Sequence, residues 1–125
     1  MNNHSRKTII IGASPNPDRV AFQAAGMLKA SGHEFIPVGI KEGDVLGQKI
    51  LSQAQMKEIP GVDTVTLYIR ADLQSTWYSD ILNLKPRRII FNPGTENPEF
   101  ETLAKENGVE ATEACTLVLL STGQY

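Results

Sequence analysis

The stretch Lys7–Val38, KTIIIGASPNPDRVAFQAAGMLKASGHEFIPV, decides the fold. Thr8–Ile11 is a β-branched apolar run, suited to a strand buried on both faces. Four small residues, Gly12-Ala13-Ser14-Pro15, end it. Asn16 followed by Pro17 is a helix-start signal, a capping side chain and then a residue whose φ already suits a first turn. Val20, Ala24 and Leu28 recur at helical spacing, and Gly32 stops the helix. Phe35, Ile36 and Val38 begin a second strand. The resulting β-α-β unit aims a small-residue loop at a helix N-terminus. Free backbone N–H groups and the positive end of the helix dipole there favour a phosphate.

The loop Gly12–Arg19 is therefore the main candidate site. It lacks the full G-x-G-x-x-G pattern of dinucleotide loops, since Ser14 and Pro15 stand where more backbone freedom is expected. The Ser14 hydroxyl suits a phosphate oxygen, and Arg19, in the expected first turn, brings a fork of donors to the same anion. Asp18 would compete with that anion for the dipole. Read alone, the loop fits phosphate binding and a plain helix start with a solvated arginine equally well.

The end of the second strand, Pro37-Val38-Gly39-Ile40-Lys41, narrows the choice. An NAD site wants an acid near this point for the ribose hydroxyls. None occurs until Glu42, and Glu34 is at the wrong end of the strand. Lys41 suggests instead a phosphate near the ribose, as in NADP or coenzyme A, although by itself it is more simply an ordinary loop lysine. His33, just past the helix stop, is expected against the last carbonyls of that helix.

Outward from this unit, residues 1–6 read as a disordered lead-in with an exposed His4, and residues 7–125 as one domain. Residues 41–61 read as an irregular connection punctuated by Gly43, Gly47, Pro60 and Gly61, with Ile50-Leu51 over the sheet edge. Asp63–Arg70 is a third strand, with Arg70 at the C-terminal end where ligands of open α/β sheets bind. Asp72 caps an expected helix whose apolar stripe is Leu73, Trp77, Ile81 and Leu84; Trp77 and Tyr78 read as packing residues. Arg87–Phe91 is a fourth strand, followed by the loop Asn92-Pro93-Gly94-Thr95-Glu96. Asn97-Pro98 repeats the cap-plus-proline signal, Phe100, Leu103 and Ala104 face the core, and Gly108 ends the helix. Val109–Thr112 is a short fifth strand and Ala114–Ser121 a last apolar helix, in which Cys115 reads as a small buried hydrophobe. The alternation predicts an α/β fold of three layers, α/β/α, around a five-stranded, mainly parallel sheet in the order 3-2-1-4-5. In that order the first and fourth strands flank the topological switch point, and the loops at Gly12 and Asn92 face each other across one crevice.

Bulk properties exclude several classes. Twelve basic and 14 acidic residues give a formal charge of −2, against general binding to nucleic acid or to an anionic membrane. A single cysteine rules out an internal disulfide and points to a reducing, cytoplasmic compartment. The polar start MNNHSRK shows no signal peptide, and no apolar run nears the ~20 residues that span a bilayer. No cluster of His, Cys and carboxylates has metal-ligand spacing.

Taken together, these residues resemble the small single-domain coenzyme A-binding proteins, which are similar in fold to the N-terminal domain of the succinyl-CoA synthetase α subunit. The matching pieces are Gly12–Arg19, Gly32–Val38, Leu46–Lys49, Val62-Asp63 and Asn92–Asn97, in order over most of residues 7–115. The resemblance implies a Rossmann-like fold and a nucleotide ligand, coenzyme A or an acyl-CoA. It implies that Gly12, Ala13, Ser14 and Arg19 hold the pyrophosphate, that Pro37 and Val38 border the adenosine, and that Asn92, Pro93 and Gly94 close the site. Family members often continue Pro-Val with Asn-Pro, whereas Gly39-Ile40 stands here. The synthetase's phosphorylated histidine belongs to a further domain absent from this chain, so the resemblance implies binding and not that reaction. The competing readings are a small NADP-dependent oxidoreductase and an interaction or regulatory protein that has lost its nucleotide.

Overall fold

The structure is a computed structural model that describes residues 5–125; His4 and its expected exposure lie outside the described residues. The strands of the main sheet are β1 (Thr8–Ile11), β2 (Phe35–Val38), β5 (Thr64–Leu67), β6 (Arg88–Phe91) and β7 (Glu110–Glu113), all paired in parallel. Four of them are buried along their whole length, as the apolar β-branched runs require of strands covered on both faces. The helices are α1 (Val20–Ala30), α2 (Gln53–Met56), α3 (Tyr78–Asn83), α4 (Pro98–Glu106) and α5 (Thr116–Ser121).

The Rossmann-like three-layer fold stands, but the strand order is β2-β1-β5-β6-β7. Counting the five long strands along the chain, this is 2-1-3-4-5, which corrects the expected 3-2-1-4-5. The reason lies at the outer edge of β2. Leu51 occupies that edge, donating its amide to Pro37 O at 2.9 Å while Gly39 N donates to Leu51 O at 3.0 Å. Pro37, which has no N–H, suits a strand that ends a sheet. With that edge taken, β5 pairs with the free side of β1, and the switch point falls between the first and third strands.

The order also decides which helix covers which face. The step from β1 to β2 and the step from β2 to β5 run in opposite directions, so crossovers of one hand place their helices on opposite faces. Ile10 packs with Ala21, Ala25 and Leu28 of α1 and with Leu120 of α5 on one side. Ile9, Ile11, Val65, Leu67, Ile89 and Phe91 pack with Met56, Ile81, Phe100 and Ala104, from α2, α3 and α4, on the other.

Several local expectations are corrected. Residues 41–61 contain a small hairpin, β3 (Asp44–Val45) with β4 (Gln48–Lys49), and the helix α2, started by a reciprocal capping box between Ser52 and Gln55. The helix expected from Asp72 is broken into two 3₁₀ turns, Ala71–Leu73 and Ser75–Trp77, before α3. Asp72 pairs with Arg70 at 3.2 Å, and Leu73 is exposed. His33 keeps its ring off the helix carbonyls: its Nδ1 accepts from the Arg6 amide at 2.9 Å. Cys115 is half-buried at the N-cap of α5. No helix of the described residues is long and apolar enough to cross a membrane.

Candidate functional site

A cavity of about 500 Å³ opens at the C-terminal ends of β1, β2 and β5, at the switch point. The loop after β1 forms its floor. Gly12 and Ala13 both donate their amides to Val38 O, at 2.9 and 3.1 Å, which clips the loop to the end of β2. Gly12 is the residue this approach requires. Its φ is +93°, and a Cβ would stand 2.8 Å from the Tyr68 carbonyl oxygen. Val38 therefore holds the loop from behind, and Pro37 and Val38, buried in β2, do not line the cavity.

Past this clip the chain turns twice before α1. Ser14 Oγ accepts the Asn16 amide at 3.1 Å, and Asn16 Oδ1 accepts the Asp18 amide at 3.0 Å. Asn16 thus closes a side-chain turn and is not the helix cap; α1 starts at Val20 with Arg19 as its N-cap. Among the described residues the amides of Ser14, Val20 and Ala21 meet no acceptor, and all three residues line the cavity. They are the donors that an α-helix leaves unsatisfied at its start, together with the loop amide beside them. No acidic side chain lies in the first turn of α1; Asp18, the expected competitor, stands exposed one residue before the N-cap. Arg19 and Lys41 bring two exposed cations to the rim.

The opposite wall is apolar. It is made by Tyr68 and Ile69 after β5, by Leu73 and by Trp77. Trp77 is buried and belongs to the core as well as to the cavity. Ile40 stands at the rim, 94% exposed. Burial pushes the Tyr68 hydroxyl up to about 12; the nearby Thr116 and Thr66 hydroxyls offset part of that rise. Tyr68 Oη nevertheless makes no hydrogen bond of ordinary geometry with the described residues.

Of the candidate residues, the cavity gathers Gly12, Ala13, Ser14, Arg19 and Lys41. Arg70, Asn92, Pro93 and Gly94 do not line it. Arg70 is exposed and paired with Asp72. Asn92 is 2% exposed and knits the core: its amide donates to Thr66 Oγ1 at 2.7 Å and Leu67 O at 2.8 Å, and its Oδ1 accepts the Thr116 amide at 2.9 Å. Pro93 and Gly94 are exposed. The strand order is the cause. The third strand neighbours the first, so the loop across the cavity is Tyr68–Trp77, and these are the lining residues that sequence reasoning missed. Among the described residues no group of His, Cys and carboxylates could hold a metal ion.

A five-stranded parallel sheet with helices on both faces and a cavity at its switch point define a Rossmann-like domain. Residues 6–121 match the family described as CoA binding domain, and the chain belongs to that family. A crystal structure of an uncharacterized protein is similar at 54% identity and a TM-score of 0.94, covering 98% of this chain and all of that one. A hypothetical protein from Pyrococcus horikoshii OT3 is similar at 25% identity and a TM-score of 0.85, over 95% of this chain and 84% of that one. YneT, an uncharacterized protein of Bacillus subtilis (strain 168), is 28% identical over 105 residues, 83% of this chain and 76% of that protein.

Proposed function

We propose that the chain binds coenzyme A or an acyl-CoA through its pyrophosphate and adenosine, as a module without catalytic machinery of its own. The observation that carries this reading is the convergence of the unpartnered Ser14, Val20 and Ala21 amides with Arg19 on one cavity floor. The pyrophosphate lies on those amides, with the Arg19 guanidinium reaching it from the rim. The adenosine lies between the Ile40–Lys41 end of β2 and the apolar wall of Ile69, Leu73 and Trp77. Lys41 takes the ribose phosphate, which NAD lacks. The described lining offers no carboxylate, imidazole or thiol, and its one phenol is held protonated at neutral pH.

Calorimetry with coenzyme A, its 3′-dephospho form, NADP and NAD tests the reading. Coenzyme A is expected to bind most tightly and NAD weakly or not at all. Arg19→Ala should weaken coenzyme A roughly 10- to 100-fold, the worth of a charge-assisted hydrogen bond. Lys41→Ala should erase most of the preference over the dephospho form, an effect of about 1 kcal/mol at an exposed lysine. NADP binding more tightly than coenzyme A would favour the oxidoreductase reading, and no binding of any of the four would leave the fold without this function.

A further inference from the structure

We propose that coenzyme A bound to this chain keeps its sulfur outside the protein, open to a second protein or a reagent. This rests on the reading above and adds where the reactive end of the ligand goes.

The argument is one of order and room. Coenzyme A is linear: adenosine, pyrophosphate, then the pantetheine arm with the sulfur at its tip. The cavity fixes two points on that line. Lys41 marks the adenosine end and the N-terminus of α1 marks the pyrophosphate. The arm must then leave on the side of α1 away from Lys41. A further hollow of about 440 Å³ adjoins the cavity across Gly39, Ile40, Lys41 and Trp77, but it lies beyond Lys41, on the adenosine side. It is the wrong end for the arm. The main cavity, about 500 Å³, sits in the lower part of the range of about 300–1,000 Å³ that encloses drug-sized ligands. The nucleotide half of coenzyme A uses that room.

Nothing among the described residues roofs the exit. The loop Pro93–Gly94, which would have covered it, is exposed and does not line the cavity; a Cβ built on Gly94 meets no atom within 4 Å. At the rim beside the start of α1, Val20 is 47% exposed. The arm passes over that apolar edge into solvent, and the described lining of the cavity offers it no carboxylate, imidazole or thiol.

The test follows two ends of one ligand while the protein concentration is raised past saturation. Cys115→Ala removes the chain's own thiol, which is half-buried and outside the cavity. One arm measures how fast an aromatic disulfide reagent captures the coenzyme A thiol. The other measures how fast a phosphatase removes the 3′-phosphate. The expected result is a thiol rate within about twofold of that of free coenzyme A at every protein concentration, since exchange follows access. The phosphatase rate should fall in step with the free ligand. If both rates fall together, the chain encloses the sulfur and the proposal is wrong, while the binding reading stands. A fall in the thiol rate alone means the ligand lies the other way round, which also overturns it. If neither falls, coenzyme A does not bind, and both readings fail.

Discussion

The loop after β1, Gly12 to Arg19, and the loop after β6, Asn92 to Asn97, are built from the same kinds of residue. Each has a glycine at φ near +90°, a hydroxyl side chain and an asparagine followed by a proline. In the second loop most polar groups bond back to the loop itself or to its neighbours. Thr95 gives both its amide and its hydroxyl to Asn92 O, at 2.9 and 2.8 Å, and Gln74 Nε2 donates to Thr95 O at 2.8 Å. The Gly94 amide goes to Glu96 Oε1 at 2.9 Å. Asn97 Oδ1 accepts the Phe100 amide at 3.2 Å, a true N-cap. In the first loop the asparagine bonds two residues on instead of three, the helix starts late, and three amides face a cavity. The difference teaches that a binding loop is recognised by unused donors on residues that line a cavity, which a motif of residue types does not record.

The comparison can be broken most severely in the closed loop. Asn92→Ala strips partners from the buried Thr116 amide and the Leu67 carbonyl and should cost about 3 kcal/mol, lowering the Tm by on the order of 10 °C. Thermal unfolding followed by circular dichroism checks this; an unchanged midpoint would mean the polar knot is not structural.

The two glycines give the next contrast. Gly12→Ala places a Cβ 2.8 Å from Tyr68 O on top of an unfavourable φ, so a loss of roughly 2–3 kcal/mol is expected along with weaker coenzyme A binding. Gly94→Ala has nearly the same φ, +91°, but open space around it, so only the backbone term remains, about 1 kcal/mol, with affinity unchanged. Denaturant titrations of the two variants should rank them in that order, and equal losses would refute the close approach at Gly12.

The smallest effect lies at the opposite pole of the sheet. Burial, and then the Arg6 and Arg88 cations, hold His33 below the ordinary imidazole value of 6.5 against a weaker pull from Asp63. Its ring also packs 5.0 Å from Tyr125, and its Nδ1 must stay unprotonated to accept the Arg6 amide. A lowered folded value means the unfolded chain takes up the proton first. The His33 contribution is therefore complete above pH 6.5, starts to fall as the pH drops through it, and is gone below the folded value. Unfolding measured across this window should show the slope, and His33→Gln should flatten it. A slope that survives the substitution would place the titrating group elsewhere.

Much of this was legible in the sequence wherever a local signal had a local cause. Thr8–Ile11 read as a doubly buried strand and Arg87–Phe91 as a strand because their own residues are largely apolar and β-branched. Asn97-Pro98 read correctly as a helix start, and Glu101 shows why: its Oε2 accepts the Asn97 amide at 3.1 Å and fixes the cap. No acid stands at the same distance after Asn16, and there the same dipeptide misled by three residues. The strand order was not legible, because it depends on Leu51 reaching the edge of β2, a contact between segments rather than a pattern within one. The site inherited that gap. Gly12, Ala13, Ser14, Arg19 and Lys41 belong to the first β-α-β unit and were found, whereas Tyr68, Ile69, Leu73 and Trp77 become site residues only when the third strand stands beside the first.

The central claim is that the free amides at the start of α1 hold the ligand's pyrophosphate while the Asn92–Asn97 loop takes no part. Amide NMR of the folded protein, titrated with coenzyme A, tests it most directly. The account predicts large shifts at Ser14, Val20 and Ala21, with the Gly94 amide, already held by Glu96, left in place. Shifts confined to the Asn92–Asn97 loop, with Ser14, Val20 and Ala21 unmoved in a protein that binds coenzyme A, would contradict it.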